Sequence, residues 1–577
     1  MRINDVEKIT GLTKKAIRLY ESKGLISIAR DINGYRNYTN ENIEALKSIR
    51  LLRSVGASIS DIKLYLFGVI SINELMDKRK SEILKESGKN SKIYQICESI
   101  SGKNGLEKIN ITKELIDEAD EIKRENYGAL SVGIDIGTTT VSAVVYDIDN
   151  KELIEAYTIP HNSYAISDAY FEQRVDIIME KSEKLLYHII DNYQDVISIG
   201  ISGQMHGIVY IDSNGEAVSN LINWQDKRAD KVLENGKSAC QIISQITGEE
   251  IATGYGIATH YYNMQTGNVP KNAVGIISIM DLFGMKICNL KCATTHSSIA
   301  SSLGLFDVQN GEFMIDKLSL LGIDKNFLPY VTNESIIIGK CKDIPVSVPL
   351  GDNQASFLGS VGENNKSILV NIGTGSQISM VSDYKNVSGD IEIRPFIEGK
   401  YLICGSALCG GFAYSMLEEF FRSYIISCGM ENVPQYQIIN KLASDAYEKG
   451  EDGLLVDAFF CGKRSQPDLR GSIKNIDRQN FTPSALTLGV LKGMCNELYE
   501  LYEEFSEKKA HIVASGGAVR KNQVLRRLIA NRFEMSVSTS TQKEEAATGV
   551  ALFSAFAIGK IEYKNGFSEY ICYREND

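Results

Sequence analysis

Two short Gly/Thr turns, alike in context and more than two hundred residues apart, constrain this chain more than any other feature. They are Gly133-Ile-Asp-Ile-Gly-Thr-Thr-Thr140 and Asn371-Ile-Gly-Thr-Gly-Ser376. Each belongs to a β-branched apolar run, 130–136 and 367–372, as expected of a buried strand that ends in a tight turn. Glycine lets backbone N–H groups come close to a phosphate chain, and threonine hydroxyls add donors. Asp135 lies inside the first turn, where a carboxylate beside a polyphosphate points to bound Mg²⁺. One such turn carries little weight, because Gly/Thr turns after strands are common. Two predict one nucleotide gripped between similar halves.

At 577 residues the chain is too long for a single core. No apolar run reaches about 18 residues, so no membrane span is expected. The eleven cysteines are scattered without a C-x-x-C and read as reduced thiols of a cytosolic protein. Charge divides the chain. Residues 1–70 hold 12 Lys/Arg and 7 Asp/Glu, a net of +5; the whole chain is −11, which leaves −16 for the rest. Any nucleic-acid contact is therefore expected in that basic head.

Within the head, 3–9 reads as a short helix, Thr10-Gly-Leu12 as a turn, and Thr13 as the N-cap of a helix that stops at Gly24. Two short helices joined by a glycine-containing turn form a helix-turn-helix, whose second helix enters the major groove with its N-terminal residues toward the bases. Those residues are Thr13, Lys14, Lys15 and Arg18. Asn33-Gly34, beside Tyr35, Arg36 and Tyr38, reads as the tip of a β-hairpin wing. Two more helices follow, from about Asn40 to Leu66. The sequence of pieces resembles the MerR family of transcription regulators, on Ile17-Arg-Leu-Tyr-Glu-Ser-Lys-Gly-Leu25, Asn33-Gly-Tyr-Arg-Asn-Tyr38 and Leu51-Leu-Arg-Ser-Val-Gly56. The resemblance implies that Arg18, Tyr20, Tyr35, Arg36 and Tyr38 hold double-stranded promoter DNA. Residues 71–127 are charged and helical in pattern, with apolar Leu75, Met76, Ile83, Leu84, Ile93 and Ile96. They are either a solvated linker or, as in MerR-like proteins, a helix that pairs the chain into a homodimer.

Three further motifs follow strand-like runs: Ser202-Gly-Gln-Met-His-Gly207, Leu350-Gly-Asp-Asn-Gln-Ala355 and Ala514-Ser-Gly-Gly-Ala-Val-Arg-Lys-Asn522. Polar residues at the C-terminal ends of strands are where α/β folds collect ligands. Any one of them alone could be a turn closing a βα unit. Neither a Walker A sequence nor a G-x-G-x-x-G after the first strand is present, which excludes P-loop and Rossmann readings.

The five motifs together resemble the FGGY carbohydrate kinases over roughly 128–560. The sedoheptulokinase branch is marked by Gln204-Met-His-Gly207, Asn223-Trp-Gln-Asp-Lys-Arg228, Ala252-Thr-Gly-Tyr-Gly-Ile-Ala-Thr259, Gly351-Asp-Asn-Gln-Ala-Ser356 and Glu392-Ile-Arg-Pro-Phe396, with xylulokinases nearby. The implied fold class is α/β, a duplicated actin-like (ribonuclease H-like) sugar-kinase fold in two lobes, preceded by an all-α winged helix-turn-helix domain. The implied layout is head 1–70, helical linker 71–127, N-terminal lobe 128–365 and C-terminal lobe 366–577. By the same resemblance Asp352 is the base that takes the proton of a sugar hydroxyl, and Asp135 holds Mg²⁺. Thr138, Thr139, Gly373, Thr374 and Gly375 face the phosphates of ATP, and Gly516, Gly517 and Asn522 border its adenosine. Gln204, Met205, His206, Trp224 and Asp226 line a ketose or polyol; His206 and Trp224 could also be structural, and Asp226 could pair with Arg228. The chain is expected to be an active ketose kinase that reports sugar status to a promoter. The alternative is a non-catalytic regulator that only senses sugar through a kinase fold.

Overall fold

The computed structural model describes residues 1–30, 36–86, 96–98, 100–101, 127–164, 171–373, 375–383, 390–451, 454–463, 465–466, 468–542, 544–564 and 566–575. Tyr35, Thr374, Ile93 and the Asn33-Gly34 turn lie outside the described residues. The chain forms two compact units, 1–127 and 128–577, and among the described residues no helix is long and apolar enough to cross a membrane.

In the first unit helix Ile3–Thr10 ends at Gly11, whose φ of 66° is the left-handed cap. The Thr13 hydroxyl then accepts from Ala16 N at 3.2 Å and starts helix Lys14–Ser22. Ala29–Arg30 pairs antiparallel with Arg36–Asn37, and helices Asn40–Ser54 and Ile59–Leu66 complete the expected order. The core holds Val6, Ile17, Leu46 and Leu52, and it also takes in Ile72, Leu75, Met76, Ile96, Cys97 and Ile100. Part of the stretch read as a linker thus belongs to the head. Helix Ile72–Glu86 is fixed there by Arg79, whose Nε donates to Val55 O at 2.8 Å.

The second unit is built on two seven-stranded sheets with one plan. In the first, Leu130–Ile136 makes a hairpin with Thr140–Asp147, which pairs antiparallel with Glu152–Pro160. On its other side Leu130–Ile136 runs parallel to Val196–Gly203, which runs parallel to Ile344–Ser347. In the second sheet Ser367–Ile372 makes a hairpin with Ser376–Ser382, which pairs antiparallel with Tyr401–Ala407. Ser367–Ile372 runs parallel to His511–Ser515, which runs parallel to Ser536–Ser540. Five strands therefore repeat in the same order with the same senses, and each Gly/Thr turn is the tip of the first hairpin. An 18-residue helix follows the third strand of each set, Val175–Asn192 and Gly410–Ser427.

The lobes meet through helix Glu545–Ala557, whose residues 547–555 are all buried. A helix apolar on every side belongs inside a protein. It lies on the first-lobe sheet with almost nothing between the backbones. A Cβ on Gly133 would stand 1.8 Å from Ala547 O, and one on Gly200 would stand 1.9 Å from Val550 O. It also crosses helix Asp352–Ser360 at Gly359 and Gly549, where added Cβ atoms would stand 1.9 Å from Glu545 O and Ala355 O. Ser131, Ser198 and Ser554 join the sheet to this helix through hydroxyls 2.9–3.0 Å apart.

Candidate active site

The sheet places the acidic residues. Asp135 sits near the end of Leu130–Ile136, and its Oδ1 accepts from the Ser202 hydroxyl of the next strand at 2.7 Å. Leu350–Gly351 pairs with Ser202 and Gly203 beyond it, so Asp352 follows immediately as the first residue of helix Asp352–Ser360. Loss of solvent pushes Asp135 up to about 7; the Asp352 and Glu544 carboxylates add to this, against the Ser202 hydroxyl. Loss of solvent likewise pushes Asp352 up to about 6, opposed by the Arg394 guanidinium and the Asn353 N–H. Glu544 belongs to the segment that enters the interlobe helix, and its Oε1 accepts from Thr158 at 2.6 Å.

Among the described residues no three His, Cys, Asp or Glu side chains converge into a metal cage. That donor set suits Mg²⁺, which takes one or two carboxylates and keeps most of its waters. A divalent cation at Asp135 would return to its charged form a carboxyl that burial, and to a lesser degree the Asp352 and Glu544 charges, disfavour.

The first Gly/Thr turn is held by side chains. Gly137 N donates to Thr140 O at 3.0 Å. His161 Nε2 lies 3.2 Å from Gly137 O, and Gln204 Nε2 donates to the same oxygen at 3.3 Å. Gln173 Nε2 donates to Thr138 O at 2.7 Å, and Trp224 Nε1 donates to Thr138 Oγ1 at 3.1 Å. Thr139 is exposed. Trp224 is 49% exposed, so its ring is no core element and offers an apolar face beside the turn.

The stretch 204–206 lies against the start of the Asp352 helix. Met205 is buried, with its Sδ 4.0 Å from Asn353 Nδ2 and its carbonyl bonded by the Ser302 hydroxyl. Gln204 Oε1 is buried without a partner among the described residues. His206 Nδ1 lies 3.2 Å from Ser302 O, and its ring meets Tyr255 edge-on at 4.9 Å.

Asp226 does not join this wall. It is fully buried, and its two oxygens take Arg228 N, Nε and Nη2 and the N–H of Phe171 at 2.8–3.0 Å. With every lone pair committed it anchors Arg228, which also reaches Glu172 at 2.7 Å. Removing one partner of such a buried pair costs about 3–5 kcal/mol.

The second turn rests on backbone. Gly411 N donates to Gly373 O at 3.0 Å, and a Cβ on Gly411 would stand 2.3 Å from that oxygen. Gly375 is exposed beside Gly410, where a Cβ would strike it at 2.2 Å. A cavity of about 410 Å³ opens next to Gly373, with Phe412, Tyr414, Tyr436, Met494 and Leu525 among its walls. Such an apolar, aromatic slot suits a flat base. Gly517 and Asn522 line it. Asn522 also caps helix Gln523–Phe533 through Leu525 N at 3.0 Å and donates to Asn440 Oδ1 at 3.1 Å. Gly516 is not part of the wall. Its φ of 94° and its contact with Ile372 O, 2.4 Å from an added Cβ, make it the residue that lets two strand ends close up.

Three residues of this constellation carry no sequence motif: Gln173, His161 and Glu544. Arg394 is buried, bonded to Glu392 through Nε at 3.1 Å and Nη2 at 2.6 Å, while its Nη1 has no partner among the described residues. Its signal is the Glu392-Ile-Arg-Pro-Phe396 motif, which by itself gives the arginine no site role.

In the head, Thr13, Lys14, Lys15 and Arg18 are exposed along the start of the second helix, with Lys14 3.6 Å from Glu7. Arg36 is tied to Glu21 at 2.7 Å. Tyr20 and Tyr38 are buried in the core, so neither ring faces outward to meet DNA as expected. Burial raises the pKa of both hydroxyls.

The N-terminal domain model of the FGGY family of carbohydrate kinases matches residues 130–359, and its C-terminal domain model matches 369–558. The MerR HTH family regulatory protein model matches residues 1–67. Sedoheptulokinase of Mus musculus is 24% identical over 471 residues, 73% of this chain and 96% of that protein. Xylulose kinase of Staphylococcus xylosus is 25% identical over 474 residues, 78% of this chain and 95% of that protein. Xylulose kinase from Lactobacillus acidophilus shares the fold, with a TM-score of 0.66 at 19% identity over 77% of this chain and 93% of that one. The duplicated sheets, the paired Gly/Thr turns and these matches agree: the chain belongs to the FGGY family of carbohydrate kinases and carries a MerR-type helix-turn-helix domain in its first 67 residues.

Proposed function

We propose that this kinase moves the terminal phosphoryl group of ATP onto a hydroxyl of a ketose of the sedoheptulose or xylulose type. The observation that carries the reading is that three separate segments bring the Asp135, Asp352 and Glu544 carboxylates within each other's influence, beside the 204–206 wall and Trp224. Asp352 takes the proton of the sugar hydroxyl as its oxygen bonds to phosphorus and the bond to ADP breaks. An acid raised to about 6 is ionised at neutral pH, yet is a better base than an ordinary aspartate. Asp135 holds Mg²⁺, which when bound neutralises charge on the phosphate oxygens. Trp224, Met205 and His206 offer apolar surface and hydrogen bonds to a polyol chain. The two Gly/Thr turns supply N–H groups and hydroxyls to the phosphates.

The test is ADP release with sedoheptulose, xylulose and ribulose, repeated on Asp352→Asn. Turnover with one of them, lost by a factor of about 10³ or more in the variant, is expected. Tight sugar binding without turnover on any ketose or polyol would favour a sensor over an enzyme.

The head gives this kinase a second task, to bind double-stranded promoter DNA as a pair through Thr13, Lys14, Lys15 and Arg18. Full-length protein is expected to bind a pseudo-palindromic site in a salt-dependent manner, and Arg18→Ala to weaken that binding. If sugar and nucleotide favour one state of the chain, operator affinity changes when both are added. Equal affinity with and without them would end that coupling.

A further inference from the structure

We propose, resting on the kinase reading, that Ser298 and Ser302 of helix Ser297–Leu303 are positioning residues that hold Asp352 at a set distance from the wall offered to the sugar. Four of the seven residues of this helix are serines, in Ser297-Ser-Ile-Ala-Ser-Ser-Leu303. Serine is a poor choice inside a helix, because its hydroxyl competes for backbone partners. Yet Ser298 and Ser302 are buried, at 0% and 2% exposure. Buried hydroxyls are bonded, and these two reach out of their own helix to the main chain on either side of the site.

Ser298 Oγ accepts from Gly351 N at 3.2 Å. Gly351 precedes Asp352 and stands at the N-cap of helix Asp352–Ser360, with no side chain of its own to brace that start. At the other end the Ser302 hydroxyl bonds Met205 O and, at 2.7 Å, Ile299 O. Ser302 O can only accept, so His206 Nδ1 donates to it at 3.2 Å. Residues four apart share a helix face and lie about 6 Å apart along its axis. One rigid face therefore ties the main chain of the base to the main chain of 205–206. Both hydroxyls are covered, so each acts through the segment it holds.

His296 fixes the end nearer the base. It is the N-cap of the serine helix, and its Nδ1 accepts from Ser298 N at 3.1 Å and lies 2.9 Å from Ser298 Oγ. A backbone N–H can only donate, so Nδ1 is the unprotonated nitrogen. Burial pulls the imidazole down to about 4 and keeps the ring neutral. The Ser298 proton turns toward Nδ1, which leaves its oxygen a lone pair for Gly351 N–H.

The experiment is steady-state kinetics with ketose and ATP varied in turn, for wild type, Ser298→Ala, Ser298→Thr and Ser302→Ala, with thermal unfolding of each protein alongside. Ser298→Ala is expected to lower kcat about 10- to 100-fold with both KM values held, because a base displaced by about an ångström costs that much. Ser298→Thr keeps the hydroxyl and should keep most of kcat. Ser302→Ala reads the other end independently: the KM for sugar should rise about five- to tenfold, as one lost hydrogen bond allows, and the KM for ATP should hold. Alanine variants that melt earlier but keep wild-type kcat and KM would overturn the proposal. So would equal losses of kcat in Ser298→Ala and Ser298→Thr, since volume and not the hydroxyl would then matter. A wild type that turns over no ketose or polyol removes the kinase reading and this proposal with it, whereas an active wild type with unaffected variants removes the proposal alone.

Discussion

The first lobe braces its Gly/Thr turn with side chains, whereas the second braces its own with bare backbone. His161, Gln173, Gln204 and Trp224 all reach the turn at 137–140. In the second lobe Gly410, Gly411 and Gly516 press main chain against main chain around 371–375. The difference follows from what lies next door. The first turn borders the wall proposed to hold the sugar, so its supports double as polar groups beside that wall. The second borders an apolar slot, where close approach matters and polar side chains would only occupy the space for a base.

A pair of substitutions tests this contrast most severely. Gly411→Val puts carbon where 2.3 Å separates a Cβ from Gly373 O, and the turn must move. We expect the KM for ATP to rise on the order of 100-fold while the KM for sugar holds, since a displacement of about an ångström costs that much. Gln173→Ala removes bonds to Thr138 and Gln204 but forces nothing apart. It should raise both KM values by about tenfold or less, because each lost hydrogen bond is worth about 1 kcal/mol. Steady-state kinetics with each substrate varied in turn would show equal patterns if the two turns were braced alike.

The smallest effect expected is a shift in pH dependence. Asp352 must be ionised to accept a proton, so kcat/KM falls as the pH drops through about 6. The Arg394 charge favours the ionised form. Arg394→Gln therefore lets the carboxyl hold its proton to higher pH and moves the acidic limb toward neutrality, by about one unit or less. A pH–rate profile with an unmoved limb would make Arg394 a packing residue alone.

Much of this was legible in the sequence because it is local. Strand ends, glycine turns and caps are written in neighbouring residues, and the helices of the head and the motif-bearing strands appear where the pattern puts them. What the sequence hides is which way a residue faces once distant segments pack. Tyr20 and Tyr38 have the chemistry of DNA contacts, yet both rings fill the head's core. Asp226 has the chemistry of a sugar ligand and spends every lone pair on Arg228 and Phe171. Gln173 lies on a two-residue strand with no periodicity to mark it. Leu75, Met76 and Ile96 stand out as apolar positions of a charged stretch, but nothing there says that they pack into the head's core.

The helix that closes the first-lobe sheet comes from the far end of the chain, with Ala547 and Val550 lying on Gly133 and Gly200. During synthesis that sheet face must wait, uncovered, for the 350 residues that separate Gly200 from Val550. At about 5–20 residues per second the wait lasts on the order of tens of seconds. The head's core, among the described residues, draws on nothing beyond Ile100. Among the described residues, the head can therefore close its core well before the first-lobe sheet is covered.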